Sequence, residues 1–255
     1  SNNTVTTNED TTYTFTASDF GFSDVDGDTL SSVTVSALSG SDGTFLLNGV
    51  AITGSTSVTK TQIDSGLLTF VPDSNENGSS YNTFTFTVND GTTDSASSYT
   101  MTVDVTAVND APTASNNTVT TNEDTDHTFA ASEFGFTDVD GDSLDHVSIE
   151  TLPSNGTLLL SGVAISAGDQ ISAANISNLV FRPAANANGA SYDTFTFTVN
   201  DGTTDSASSY TMTVDVTAVN DAPTVVDDTD SVTEGGTVIE TTNSAGTVLS
   251  DDSDV

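Results

Sequence analysis

Residues 83–88 read Thr-Phe-Thr-Phe-Thr-Val, and residues 99–105 read Tyr-Thr-Met-Thr-Val-Asp-Val. Apolar and polar side chains alternate in both stretches, which places the apolar ones on one face of an extended chain. This alternation is typical of a β-strand that buries one face and exposes the other. The same pattern recurs at residues 12–16 and 33–35, whereas no window keeps a helical period. We therefore predict an all-β protein.

Turn residues separate the predicted strands at short intervals. Asn48-Gly49 lies between two apolar runs and predicts a tight hairpin. The apolar run at residues 67–71 ends at Pro72, which cannot continue a hydrogen-bonded strand. Counting such segments gives about seven short strands in ~110 residues, which is typical of an immunoglobulin-like β-sandwich.

The chain contains long internal repeats. Residues 1–11 recur unchanged as residues 115–125, and residues 83–113 recur unchanged as residues 194–224. Identity over such lengths indicates tandem copies of one domain. A third copy begins near the end, because the final Ser-Asp-Val repeats the Ser-Asp-Val that starts at Ser23. We expect the chain to be a piece of a longer array, with two full repeats and the truncated start of a third at residues 1–112, 113–223 and 224–255.

The two full repeats differ in length at two places. These places lie near residues 39–42 and 53–67, where Gly, Ser and Thr are frequent. Surface loops tolerate insertions and deletions better than strands do. We therefore predict exposed loops at both places.

The charge of the chain limits its partners. There are 37 acidic side chains and two cationic ones, Lys60 and Arg182, which gives a formal net charge of −35. Nucleic acid and anionic lipid would be repelled, and no apolar run reaches the ~20 residues that a membrane-spanning helix needs. Cysteine is absent, so disulfides cannot stabilise the domains. Neutralising the carboxylates therefore calls for metal cations.

An acidic turn occurs once in each repeat. Asp-Val-Asp-Gly-Asp stands at residues 24–28 and again at residues 138–142. Calcium prefers six to eight oxygen ligands at ~2.3–2.6 Å, and such a turn can offer several. The motif is not an EF-hand loop, because Thr29 and Val35 stand where that loop has Gly and Glu. Asp and Gly also favour turns without any metal, and that alternative stays open. The candidate ligands are Asp24, Asp26, Asp28, Asp138, Asp140 and Asp142.

Three further acidic motifs accompany this turn and carry a resemblance. They are Asn8-Glu9-Asp10, Asn89-Asp90-Gly91 and Asn109-Asp110-Ala-Pro. Together with the acidic turn they resemble a cadherin repeat. The strongest likeness is to the cadherin-like and VCBS-type repeats of large bacterial (RTX-type) adhesins. Many of these adhesins are exported by type I secretion. The likeness extends over the whole chain, with the third repeat similar to the VCBS variety. It implies tandem immunoglobulin-like (cadherin-like) sandwiches at the bacterial cell surface, with Ca²⁺ as the cofactor.

The resemblance also implies a ligand set at each junction between repeats. The first junction would use Glu9, Asn109, Asp110, Asp138, Asp140 and Asp201, and the next would use Glu123, Asn220 and Asp221. Asp90 is the first-repeat counterpart of Asp201. The linker departs from the cadherin pattern, because Ala107 and Ala218 stand where cadherins have Asp. The number of ions per junction therefore stays open, and a site within one domain, built from the acidic turn alone, is the alternative.

Residues typical of catalysis are scarce. His127 and His146 are the only histidines, and the first repeat has Tyr13 and Ser32 in their places. We therefore expect both histidines to lie on the surface without a role. No Ser-His-Asp or Cys-His set can be assembled, so we predict a protein without catalytic activity.

Three functions follow from these observations. The first is a calcium-rigidified spacer whose partners are calcium and the neighbouring repeats of the same chain. The second is a calcium-dependent module that binds cell-surface or extracellular polysaccharide, with Tyr81, Tyr99, Tyr192 and Tyr210 as candidates for stacking on sugars. The third is homophilic adhesion or fibre formation through an open strand edge.

Overall fold

Residues 1–39 and 42–222 are described by the computed structural model. The chain divides into two units, Ser1–Asp110 and Ala111–Val255. The predicted third repeat at residues 224–255 lies outside the described residues. Each unit consists of two β-sheets around a common core, which confirms the prediction of tandem immunoglobulin-like sandwiches.

The first unit has nine strands among its described residues. They are β1 (Asn3–Asn8), β2 (Tyr13–Thr14), β3 (Ser32–Ser39), β4 (Thr44–Leu47), β5 (Val50–Ala51), β6 (Thr56–Thr59), β7 (Leu68–Val71), β8 (Gly78–Asn89) and β9 (Tyr99–Thr106). One sheet has the order β1-β9-β8-β3-β6 and the other has the order β2-β7-β4-β5. A 3₁₀ helix at Ala17–Phe20 and a short α-helix, α1 (Lys60–Asp64), complete the unit.

The second unit repeats this topology. Its strands are β10 (Asn117–Asn122), β11 (His127–Thr128), β12 (His146–Thr151), β13 (Thr157–Leu160), β14 (Val163–Ala164), β15 (Gln170–Ser172), β16 (Leu179–Arg182), β17 (Gly189–Asn200) and β18 (Tyr210–Thr217). The sheets have the orders β10-β18-β17-β12-β15 and β11-β16-β13-β14. The 3₁₀ helices are Ala131–Phe134 and Ala173–Asn178.

The strand count exceeds the expected seven because β1 and β6 were not predicted. Each contains a single apolar residue, Val5 in β1 and Val58 in β6, so neither shows the alternation that identifies a strand. β1 also precedes the first predicted strand, residues 12–16, and lies in the other sheet. β1 pairs in parallel with β9, and β2 then pairs with β7 in the other sheet.

One predicted loop is wrong. Residues 53–67 contain β6 and α1, and Ile63 of α1 is buried. Thr59 begins the helix with a capping box, since its hydroxyl accepts from the backbone N–H of Gln62 at 3.3 Å and the Gln62 side chain accepts from the Thr59 N–H at 2.9 Å. A five-residue helix is too short for a helical period to be visible in the sequence. Within the described residues, no helix is long and apolar enough to cross a membrane.

Alternation in β8 and β17 determines which side chains form the core. Phe84 and Phe86 are fully buried between the sheets, and the Thr side chains between and beside them point outward. The Phe20 and Phe86 rings meet edge to face with centroids 5.1 Å apart. Phe134 and Phe197 form the same pair in the second unit at 4.9 Å. Each core is therefore an aromatic cluster shared by both sheets.

Adjacent residues of β8 provide a direct test of this assignment. We expect Phe86→Ala to destabilise the first unit by about 3–5 kcal/mol, because it removes a fully buried ring and leaves a cavity. Thr87→Ala changes the opposite face of the strand and should cost less than about 0.5 kcal/mol. Hydrogen exchange of peptides from residues 44–71, whose sequence differs between the units, measures the effect. Equal losses in the two variants would contradict the assigned core face.

Candidate metal centre

The acidic turn of the second unit brings three carboxylates together. Asp138, Asp140 and Asp142 each place a carboxylate oxygen within 4.8 Å of the others. The turn joins the 3₁₀ helix at Ala131–Phe134 to β12. Gly141 has a φ of 83°, a left-handed conformation that glycine adopts without strain. Gly27 of the first unit has a similar φ of 89°, so both acidic turns curve around a left-handed glycine.

One oxygen of Asp138 has no hydrogen-bond partner in the described part of the chain. Its Oδ1 accepts from the backbone N–H of Asp142 at 3.0 Å. Its Oδ2 is buried and has no hydrogen-bond partner among the described residues. A buried carboxylate oxygen without a partner is costly. A hard cation held by oxygen ligands would remove that cost, so the residues of this turn fit calcium.

Asp193 shows how this fold satisfies a buried carboxylate without a metal. Its side chain is 5% exposed. Oδ1 accepts from the N–H groups of Ser154 and Thr194, both at 2.9 Å, and Oδ2 accepts from those of Asn155 and Gly156 at 2.7 and 2.8 Å. Both oxygens of Asp193 are therefore satisfied by backbone donors, in contrast to Asp138.

The same motif in the first unit is arranged differently. Asp24 Oδ1 accepts from the N–H groups of Asp26 and Asp28, at 2.8 and 3.2 Å. Over the described part of the chain, the second-unit turn is the one group of three carboxylates whose oxygens lie so close together. The structure therefore brings together the second predicted triad and does not bring together the first to the same degree.

Glu9 and Glu123 each lie next to the segment through which the chain leaves their own unit. Glu9 is 2% exposed, and its carboxylate accepts from the Val108 N–H at 2.5 Å and from the Asn77 side-chain amide at 3.3 Å. Glu123 accepts from Val219 at 2.5 Å and from Asn188 at 3.0 Å. The two asparagines were not predicted as part of a site. Both repeats have an Asn-Gly pair at this place, at residues 77–78 and 188–189, and this shared pair is the sequence feature that could have identified the two asparagines.

Asp90 and Asp201 occupy equivalent turns after the longest strand of each unit. Asp90 Oδ1 accepts from the N–H groups of Thr93 and Thr92, at 2.7 and 2.6 Å, and these bonds lower its pKa. Asp201 makes the same pair of bonds with Thr204 and Thr203. One oxygen of each carboxylate therefore shapes the turn.

The predicted linker ligands share one local arrangement. The Asn109 amide donates to the Asp110 carbonyl at 2.9 Å, and the Asn220 amide donates to the Asp221 carbonyl at the same distance. Asn109 and Asp110 belong to the first unit, whereas Asp138 and Asp140 belong to the second. The ligand set predicted for the junction therefore stays a prediction.

The tyrosines proposed to stack on sugars are engaged within their units. Tyr99 and Tyr210 are half-buried and pack against Phe86 and Phe197, with centroids about 6 Å apart. The Tyr81 hydroxyl donates to Glu76 at 3.0 Å, and burial together with the neighbouring acids raises its pKa to about 12. The Tyr192 hydroxyl donates to the Asn155 carbonyl. Each ring therefore has a structural use.

The contacts of Glu123 predict a pH dependence for the second unit. The Asn188 amide and the Val219 N–H hold the pKa of this carboxyl below its ordinary value. Its contribution to stability is therefore present above the unfolded pKa of about 4.3 and is lost as the pH falls through the lower folded pKa. We expect Glu123→Gln and Asn188→Ala each to make stability less dependent on pH between about pH 5 and about pH 3. Thermal unfolding of both variants and the unchanged chain tests this, and identical profiles in all three would contradict it.

Comparisons with known proteins agree with the observed fold. A model of the cadherin-like family matches residues 1–106, and a model of the bacterial Ig domain matches residues 109–217. No curated protein sequence matches the chain.

Solved structures with similarity to the chain include three kinds of protein. A human protocadherin-24 EC1-2 structure is 18% identical, with a TM-score of 0.47, over 84% of this chain and 94% of that one. The endo-fucoidan hydrolase MfFcnA4 from glycoside hydrolase family 107 is 19% identical, with a TM-score of 0.27, and the match covers 86% of this chain and 28% of the hydrolase. The N-terminal eight Ig domains of Down Syndrome Cell Adhesion Molecule are 10% identical, with a TM-score of 0.28, and the match covers 88% of this chain and 26% of that structure. The chain thus spans less than a third of the last two.

The two family models together extend over both units, and each matches nearly the whole of one repeat. Domains of these families are extracellular modules of the adhesion type. The chain is therefore a tandem of bacterial cadherin-like, immunoglobulin-type domains.

Proposed function

We propose that this chain is a non-catalytic, calcium-binding spacer of a large bacterial adhesin, located outside the cell and rigidified by calcium. The observation that carries the proposal is the cluster of Asp138, Asp140 and Asp142, in which Asp138 Oδ2 is buried and has no hydrogen-bond partner within the described residues. Calcium supplies positive charge to carboxylate oxygens that converge in one turn.

The protein's own cations are used elsewhere. Lys60 and Arg182 are the only Lys and Arg in the sequence. Lys60 pairs with Asp64 at 2.5 Å, and Arg182 makes a bidentate contact with Asp126 at 2.7 and 2.9 Å. Asp126 has a lowered pKa because of this Arg182 contact. Neutralisation of the acidic turns therefore depends on cations from the solvent, and extracellular fluids supply calcium.

The rigidifying role rests on ligands that come from both units. We propose that Glu9, Asn109, Asp110 and Asp201 act together with Asp138 and Asp140 at the first junction, and that Glu123, Asn220 and Asp221 act likewise at the next. Asp24, Asp26, Asp28 and Asp90 would bind calcium more weakly in the first unit. The contacts of Glu9 with Val108 and of Glu123 with Val219 support this set, because they hold a carboxylate beside the exit of each unit.

Calcium titration tests the proposed ligands. We expect binding in the extracellular range, with a Kd of ~10⁻⁴ to 10⁻³ M or tighter. Asp140→Asn should weaken the tightest site at least tenfold, because it removes one charged ligand. Asp145→Asn removes the same charge five residues away, outside the triad, and should leave calcium binding unchanged. Calorimetry on the unchanged chain and the two variants measures these affinities. Absence of calcium binding, or equal affinity in the three proteins, would refute the calcium site.

Solution scattering tests the spacer role separately. If calcium holds neighbouring domains in line, the particle should be longer and less variable in millimolar calcium than in chelator. Asp140→Asn should shift this change to higher calcium concentration. A maximum dimension that is the same with calcium and with chelator would contradict the spacer role even if calcium binds.

A further inference from the structure

The second unit contains a histidine between two carboxylates. His146 begins β12, and its side chain is only 14% exposed, contrary to the expected surface position. On one side, Nδ1 lies 2.8 Å from Oδ2 of Asp145. On the other side, Nε2 lies 3.9 Å from Oδ1 of Asp205. Nε2 is buried and has no hydrogen-bond partner among the residues that the structure describes.

The contact with Asp145 determines which nitrogen is available. A carboxylate only accepts hydrogen bonds, so a neutral ring in this position donates from Nδ1 to Asp145. The lone pair then resides on Nε2 and points toward the Asp205 carboxylate. A buried lone pair beside a carboxylate oxygen, with no donor between them, is unfavourable. A cation between Nε2 and Oδ1 would satisfy both atoms.

The distance between these two atoms is close to the distance that zinc requires between two ligands. Zinc binds imidazole nitrogen at ~2.0–2.1 Å and carboxylate oxygen at ~2.0–2.2 Å. The two ligand atoms would then be ~3.4 Å apart at a tetrahedral angle and at most ~4.3 Å apart. The observed 3.9 Å is about 0.5 Å longer than the tetrahedral spacing, so zinc binding requires the exposed Asp205 carboxylate to move toward the ring by about that distance. Calcium prefers oxygen ligands alone, whereas imidazole suits zinc and its neighbours among the transition metals.

We propose that His146 Nε2 and Asp205 Oδ1 bind a zinc ion, with water in the remaining positions. Asp145 is the outer carboxylate that fixes the ring, as in the carboxylate–histidine–zinc arrangement of many zinc sites. The Asn200 amide donates to Asp205 Oδ1 at 2.8 Å and orients that carboxylate. This site shares no residue with the calcium ligands proposed above.

The first unit provides an internal control for the site. Its Asn89 amide donates to Asp94 at 2.8 Å, as Asn200 does to Asp205, so the same scaffold is present. Ser31 and Ser32 take the places of Asp145 and His146. Compared with the first unit, the second unit therefore has two additional groups beside the same turn. They are the imidazole of His146 and the Asp145 carboxylate that orients it.

His127 provides a second control. Its Nε2 lies 3.3 Å from Glu133 Oε2, where the first unit has Tyr13 with its hydroxyl 3.2 Å from Asp19. The imidazole of His127 thus replaces a tyrosine hydroxyl in a structural hydrogen bond. His127→Tyr restores the first-unit pair and leaves His146 untouched.

Zinc titration of the full chain in saturating calcium tests the proposal. We expect one zinc ion per chain, seen by calorimetry and by a shift of the His146 Nε2 resonance in ¹⁵N spectra. His146→Ser should reduce the association constant at least tenfold. Asp145→Asn should reduce it by about 10–100-fold, the usual effect of losing an outer-shell partner. His127→Tyr should bind as the unchanged chain does.

Other results would overturn the site. Absence of zinc binding, equal affinity in His146→Ser, or a shift at His127 instead of His146 would each do so. Serine is the first-unit residue at this position, so the variant should fold, and Asp205→Asn provides an independent test. The zinc and calcium proposals can fail separately, because Asp140→Asn should affect calcium alone and His146→Ser zinc alone.

Discussion

The dominant constraint on this molecule is an excess of carboxylates for which it has almost no cationic side chains. The backbone supplies many of the missing donors. Asp193 accepts from four N–H groups, and Asp90 and Asp201 each accept from two within their own turns. Such bonds satisfy the carboxylate oxygens, and they also determine the shape of the loops. The carboxylate oxygens that the backbone leaves without a donor then become candidates for metal ions.

Tandem duplication makes this constraint visible, because each unit is a control for the other. The acidic turns have the same five residues, and Asp24 and Asp138 each accept from the backbone N–H four residues later, yet among the described residues the three carboxylates converge only in the second unit. The Tyr13–Asp19 pair becomes His127–Glu133 without a change in topology. Replacement of Ser31 and Ser32 by Asp145 and His146 adds a nitrogen ligand beside a conserved turn geometry. The scaffold therefore tolerates changes in local chemistry while the two cores stay alike.

Much of the fold could be predicted because its signals are local. Alternation along β8 and β9 identified the strands and their buried faces, and the repeats identified two copies of one domain. β1, β6 and α1 were not predicted, because β1 and β6 each contain a single apolar residue and the five residues of α1 are too few to show a helical period. The burial of His146 was also unpredictable, because it depends on β12, β17 and the turn that ends at Asp205.

By itself, the sequence determined the fold class, the duplication and the residue types available as ligands, since periodicity, identity and composition are properties of the chain alone. The tertiary structure decided which carboxylates share a space, which of them find backbone donors, and which nitrogen of His146 is left without one. These outcomes depend on distances between residues that are far apart in the chain, and hydrogen bonds and metal bonds both change over a few tenths of an ångström. Sequence spacing cannot resolve differences of that size.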